Sequence, residues 1–182
     1  MKKLLFVIFT FTVLTFLCCK QEQNSLKEPP LPKKVDSLFR TAYNNSLPIE
    51  KRKDAINYIE NYLIQRNNDS TKRNSYLRVA NRYYNINDFD GEYKSALKAY
   101  GLALEAKDTP IIARSTMYIG DNFLSLNKID SAFYYNYKAT KYYPVTQDNN
   151  TQRSALSNLS LIYRLVKDYP KSEKYAVEAL RV

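Results

Sequence analysis

The chain has 182 residues, 45% of them hydrophobic, with 17 Tyr, 8 Phe and a formal net charge of +10. That length suits one ordinary domain with ample material for a core, and three Gly in total argue against a β-rich or loop-rich fold, which needs Gly at positive-φ turns. Histidine is absent and both cysteines, Cys18 and Cys19, sit together near the start. Everything after Cys19 is therefore without a Cys/His zinc site, a Ser-His-Asp triad or a Cys nucleophile.

Taken in order, Met1-Lys2-Lys3 is a basic start and residues 4–17 are an apolar run, too short for a typical membrane span. The run ends in Phe16-Leu17-Cys18-Cys19 rather than in a small-residue cleavage site. The segment resembles a bacterial lipoprotein signal, which implies export and acylation of Cys19, with Cys18 as the alternative. An export signal also turns the reading of the positive charge away from nucleic acid. Residues 20–34 are polar with three prolines, a composition that cannot bury a core and predicts an extended tether.

Helical patterning begins at Val35. Residues 35–44 and 47–66 read as a first pair, with Pro48 at a helix start, Glu50 in the first turn, and Ala55, Ile59, Tyr62 and Leu63 on one apolar stripe. Residues 71–84 and 92–107 form the next pair, with Ala80 and Tyr83 on the first helix and Ala96, Tyr100 and Ala103 on the second. Their turn, residues 85–91, reads as a long one. In residues 113–144 two apolar stripes meet at the polar corner 126–130. Gly120, Ala132 and Ala139 stand where helices would touch, and Phe123 and Tyr135 are large enough to fill the space between them. A polar loop after Pro144 leads to a last pair in residues 153–182, its second helix starting after Asp168-Tyr169-Pro170 and carrying Ser172, Ala176 and Ala179.

The succession of small residue, aromatic, Ala and closing Pro at Gly120, Phe123, Ala132, Ala139 and Pro144 resembles the tetratricopeptide repeat, a helix–turn–helix unit of about 34 residues. The resemblance covers units at 71–107, 113–144 and 153–182 and, more weakly, 35–66, with Ala96 and Ala132 as equivalent positions on successive second helices. It implies an all-α, right-handed solenoid of helix pairs whose aromatics, Tyr83, Tyr100, Phe123, Tyr135 and Tyr163, pack between helices. The family's inward positions fall on Asn74, Arg78, Asn81 and Tyr84, then Arg114, Tyr118, Asp121 and Leu124, then Asn158, Leu161 and Arg164. Those amide, guanidinium and aromatic groups suit an extended backbone or acidic partner; a solvated helix face is the other reading. The set is incomplete against the groove that binds chaperone C-termini.

Nothing in the chain points to catalysis or a cofactor. Asp88, Asp90, Glu92, Asp121 and Asp130 fall at turns and first turns, where acids cap helices. No calcium-loop spacing, Gly-rich phosphate loop or dinucleotide fingerprint is present. Lys94, Lys98, Lys107, Lys138 and Lys174 read as solvated helix backs. The leading expectation is an exported, lipid-anchored scaffold for an unidentified protein or peptide in the cell envelope. The alternative is the periplasmic sensory region of a membrane-bound regulator. The apolar edge at Tyr175, Ala176, Ala179, Leu180 and Val182 is expected to be covered by a second copy, a partner helix or further chain.

Overall fold

The computed structural model describes residues 30–182, and these are helical without a strand. The helices are α1 (Lys33–Tyr43), α2 (Ile49–Gln65), α3 (Ser70–Tyr84), α4 (Phe89–Ala106), α5 (Thr109–Ser125), α6 (Ile129–Thr140), the single-turn α7 (Tyr143–Thr146), α8 (Asn149–Leu165) and α9 (Tyr169–Arg181). Cys18, Cys19 and most of the expected tether lie outside the described residues. The tether ends earlier than expected: Leu31 packs against the first core cluster and α1 begins at Lys33.

Aspartates set most of the helix starts. Asp69, Asp88, Asp108, Asp148 and Asp168 each accept a hydrogen bond from the backbone N–H three residues on, at 2.6 to 3.2 Å, satisfying an amide that has no partner inside the helix. The residues before the later four, Asn87, Lys107, Gln147 and Lys167, have positive φ, as does Asn127 before Lys128. At three corners the carbonyl of an aromatic residue, Tyr83, Phe123 or Tyr163, accepts from the N–H of Asp88, Lys128 or Asp168 at 2.8 to 3.0 Å, the closing bond of a Schellman motif. Asp88 and Asp168 thus finish one helix and cap the next. The turn after Tyr84 is therefore no longer than its counterparts, contrary to expectation: Asp88 starts α4 at Phe89, not at Glu92. Likewise Asp148 starts α8 at Asn149, within the stretch expected to be a polar loop.

Apart from α7, which lies against α5, each helix packs mainly on its neighbours along the chain, and the first members of successive pairs, α1, α3, α5 and α8, also touch in order. The left-handed corner residues Asn87, Lys107, Asn127, Gln147 and Lys167 are evenly spaced, so one helix pair carries the chain from Asn87 to Asn127 and the next from Asn127 to Lys167. The expected equivalence of Ala96 and Ala132 is thereby corrected. Ala132 occupies the place of Glu92, and the counterpart of Ala96 is Asn136. The larger Asn136 is admitted because Gly120 lies opposite: a Cβ on Gly120 would come within 2.5 Å of Asn136 Nδ2. In the preceding pair Ala80 and Ala96 share one apolar cluster.

The largest core cluster joins Val35, Phe39, Ile56, Ile59, Leu63, Leu77 and Val79 across α1, α2 and α3, and continues through Ala99, Ala103, Ile111 and Ile112. Each fully buried aliphatic of this kind contributes about 1.5–3 kcal/mol relative to exposure. Beyond it the clusters are smaller, such as Ala132 with Leu159 and Ile162. Of the aromatics expected between helices, Tyr83, Tyr100, Phe123 and Tyr135 flank these clusters and Tyr163 contacts Phe133 and Tyr175; all five are half-buried. Phe123 stacks on Tyr135 with centroids 5.4 Å apart, and Tyr83 donates its hydroxyl to Glu60 at 2.7 Å.

Candidate functional site

The apolar stripes of α3, α5 and α8 are used up in the core, and because these helices touch in chain order their remaining faces adjoin. There they enclose an open groove of about 400 Å³ lined by Asn81, Tyr84, Met117, Tyr118, Asp121, Arg153, Ser154, Ser157 and Asn158. A second hollow of about 310 Å³ shares Met117, Tyr118 and Ser154 with it and extends past Arg114, Asp148 and Thr151. Five of the residues expected on the inner face, Asn81, Tyr84, Tyr118, Asp121 and Asn158, meet in the groove, and Arg114 stands in the adjoining hollow.

The other expected residues divide. Asn74 accepts from Arg114 at 3.1 Å and so supports the hollow from behind. Arg78 pairs with Asp36 at 3.1 Å and lies 3.7 Å over the Phe39 ring. Leu124 packs against the Ala132–Leu159–Ile162 cluster. Leu161 is half-buried and Arg164 exposed, and neither lines the groove. Met117, Arg153, Ser154 and Ser157 lie outside the expected set. They belong to the neighbouring stripe of the same helices. Met117 and Ser157 hold the same place in successive pairs, three residues before Gly120 and Ser160 respectively, and that is the signal that marks them.

The groove's charges are set by burial and by close partners. Burial pushes the Asp121 carboxyl up, against the opposing effect of Asn158, whose Nδ2 donates to it at 3.4 Å. Asn158 also donates to Asn136 at 3.0 Å, which fixes the amide's orientation. The charge of Asp121 in turn raises the Tyr84 phenol, while burial raises that of Tyr118. Asp148 behaves oppositely: burial would raise it, but donation from Thr151 and from Arg114, at 3.2 Å, outweighs this and holds it below the usual carboxylate range. The groove thus offers a partly desolvated acceptor at Asp121, amides at Asn81 and Asn158, and two phenol rings. Arg114 faces it already neutralised by Asp148. These groups can hydrogen-bond a polypeptide backbone and pack its side chains.

A second polar group lies deeper, between α4 and α5. Glu92 is fully buried and accepts from Asn122 at 3.0 Å, and Asn122 also donates to the Phe89 carbonyl at 2.6 Å. Glu92 Oε1, Ser95 Oγ and Asn122 Oδ1 are buried without a hydrogen-bond partner. Burial pushes the Glu92 carboxyl up to about 7. Among the described residues no cluster of three or more His, Cys, Asp or Glu could hold a metal ion, and no helix is long and apolar enough to cross a membrane.

At the C-terminal end Tyr175 stacks on Tyr163 at 5.4 Å and Ala179 is buried, whereas Leu180 is 86% exposed. A scan against protein-family models finds no matching family, and a search of curated proteins finds no match.

Proposed function

We propose that this chain is an exported, lipid-anchored scaffold of tetratricopeptide type, a right-handed solenoid of helix pairs that holds a polypeptide segment in the groove across α3, α5 and α8. The observation that carries the reading is the convergence of Asn81, Tyr84, Tyr118, Asp121 and Asn158, from three successive first helices, on one open groove. Packing between chain neighbours and the even recurrence of the corners support the solenoid. The recurrence is longer than the family's usual unit of about 34 residues; the extra length lies in the helices and, after α6, in the separate turn α7, not in the corners. The anchor rests on residues 1–19 alone.

The test is retention of envelope proteins by the full chain in detergent, comparing wild type with a Tyr118→Ala, Asp121→Asn double variant and with Lys174→Ala on α9 outside the groove. The double variant is expected to lose the retained partner and the Lys174 variant to keep it, both with unchanged helicity. Equal retention by all three would remove the groove as the binding site. Separately, a fatty-acid label is expected on wild type and absent from Cys19→Ser; a label lost only in Cys18→Ser moves the anchor by one residue, and one kept in both rules the anchor out.

A further inference from the structure

Four guanidinium groups meet around the end of α1: Arg40 on α1, Arg52 on α2, and Arg78 and Arg82 on α3. Among the described residues Asp36 is the one carboxylate paired with any of them, at 3.2 Å from Arg40 and 3.1 Å from Arg78. Arg52 is committed to main-chain carbonyls, donating to Ala42 at 3.0 Å and Asn85 at 3.3 Å. Arg82 donates through Nε to the Phe39 carbonyl at 3.2 Å, and its guanidinium lies 4.6 Å from the Tyr43 ring centroid. It is half-buried, and no acid among the described residues pairs with it.

A partly desolvated cation is costly unless an acid or hydrogen-bond acceptors compensate it. Arg82 has acceptors in the Phe39 carbonyl and the Asn81 side chain but no acid, and burial and then the charge of Arg78 lower its pKa. Beside it opens a hollow of about 440 Å³ lined by Phe39, Arg40, Tyr43, Asn44, Asn45 and Arg82. Two guanidiniums and two amides there surround the exposed Tyr43 ring. The hollow adjoins the groove, because Asn81, which lines the groove, accepts a hydrogen bond from Arg82 Nη1.

We propose that this hollow receives an acidic side chain, Asp or Glu, of the polypeptide bound in the groove. Arg82 and Arg40 donate to the carboxylate, and the exposed Tyr43 packs against the stem that carries it. The inference rests on the proposed function for the remainder of the segment. It also gives that segment a direction: its acid lies at the α1 end, and hydrogen-bond donors lie over Asp121 at the other. Acid recognition thereby falls to Arg82, which has no acid partner among the described residues, joined by Arg40 as it leaves its exposed pair with Asp36, while Arg78 and Arg114 keep Asp36 and Asp148.

The experiment titrates the full chain in detergent with a blocked peptide, Ala-Glu-Glu-Tyr-Glu-Glu-Ala, and with the same peptide carrying Gln for Glu. Inorganic phosphate serves as competitor. The Glu peptide is expected to bind about tenfold or more tightly than the Gln peptide, as charge-assisted bonds require. Arg40→Gln and Arg82→Gln are each expected to reduce that preference about fivefold, with Arg82→Lys retaining part of it. Arg40 is exposed, so its variant tests the pocket without threatening the fold. Equal binding of the two peptides, or an unchanged preference in both Gln variants, overturns the proposal. Full displacement of the peptide by equimolar phosphate overturns it too, in favour of a free-anion site. If the Tyr118, Asp121 variant loses its partner while the arginine variants are silent, the acid pocket fails and the groove stands. If only the arginine variants matter, the groove fails and the pocket stands alone.

Discussion

Around α1, α2 and α3 the space between helices is filled by Phe39, Ile56, Ile59, Leu63 and Val79, all fully buried. From α5 onward the same space holds Ser115, Thr116, Asn122, Asn136 and Thr151 alongside Ala132, Ala139, Ala155 and a few aliphatics, Ile119, Leu156, Leu159 and Ile162. There the bulk comes from rings at the rim: Phe123 on Tyr135, Phe133 on Tyr137 and Tyr163 on Tyr175, with centroids 5.4 to 5.7 Å apart. The first region is specified by volume, and the second by oriented contacts between small, polar and aromatic groups. Volume is insensitive to direction, so the first region resists change until a cavity opens. Oriented contacts are individually weaker and fail one at a time.

The largest effect expected from this contrast is that of Phe39→Ala. It removes a fully buried ring and should cost about 3–5 kcal/mol in a denaturant titration; a loss below about 1 kcal/mol would show that the first region is not held by volume.

Next comes Glu92, at the seam between the two regions. Its carboxyl, pushed up to about 7, keeps its proton in the folded state at pH values where the unfolded chain has already lost it. Stability is therefore greatest below the ordinary glutamate pKa near 4.5, falls as pH rises through 7, and is level above that. The total is on the order of 3 kcal/mol. Glu92→Gln is expected to remove most of the slope, leaving the part of the same sign that the raised Asp121 contributes, and a slope undiminished in the Gln variant would place its origin elsewhere. The depressed aspartates, Asp36, Asp69, Asp148 and Asp168, act with the opposite sign and below about pH 4.

Ala132→Leu follows. Ala132 is fully buried, with Leu159 and Ile162 of α8 as well as Phe123 of α5 in its cluster. Overpacking should cost about 1–3 kcal/mol, and a variant that melts with wild type would show that the second region yields readily. Smallest is Lys94→Ala, which breaks an exposed pair with Asp90 on α4 and is expected to leave the denaturation midpoint unchanged; a measurable drop would show that surface charge also holds the helices.

The first helices were legible in the sequence because their aromatics are aligned without ambiguity: Tyr83, Phe123 and Tyr163 recur at even spacing and leave one register. The second helices were not. Alanine is so frequent along them that Ala96 finds a partner at Ala132 as readily as at a true equivalent. The true equivalent, Asn136, is recognisable only beside Gly120, on the opposite helix. Asn149, Asn150 and Thr151 read as loop by composition, yet Asp148 makes them a first turn. In the site, the inward positions carried over from the resemblance to the repeat family reached five residues of the groove. Which cations were already engaged could not, because Asp36 and Asp148 lie 42 and 34 residues from the arginines they hold.

The corners at 83–88 and 163–168 let one aspartate end a helix and begin the next, leaving no spare residue between the two. A single insertion in the helix leading into such a corner would turn everything beyond it by about 100° about that helix's axis, carrying the later apolar stripes away from the preceding pair. Deleting one residue would do the same in the opposite sense. Length variation in such a chain is tolerated only as a whole helix-pair module, or at Tyr143–Thr146, where a separate helical turn lies between α6 and the cap of α8. Lineages of this protein are therefore expected to differ in the number of modules far more than in the length of any one.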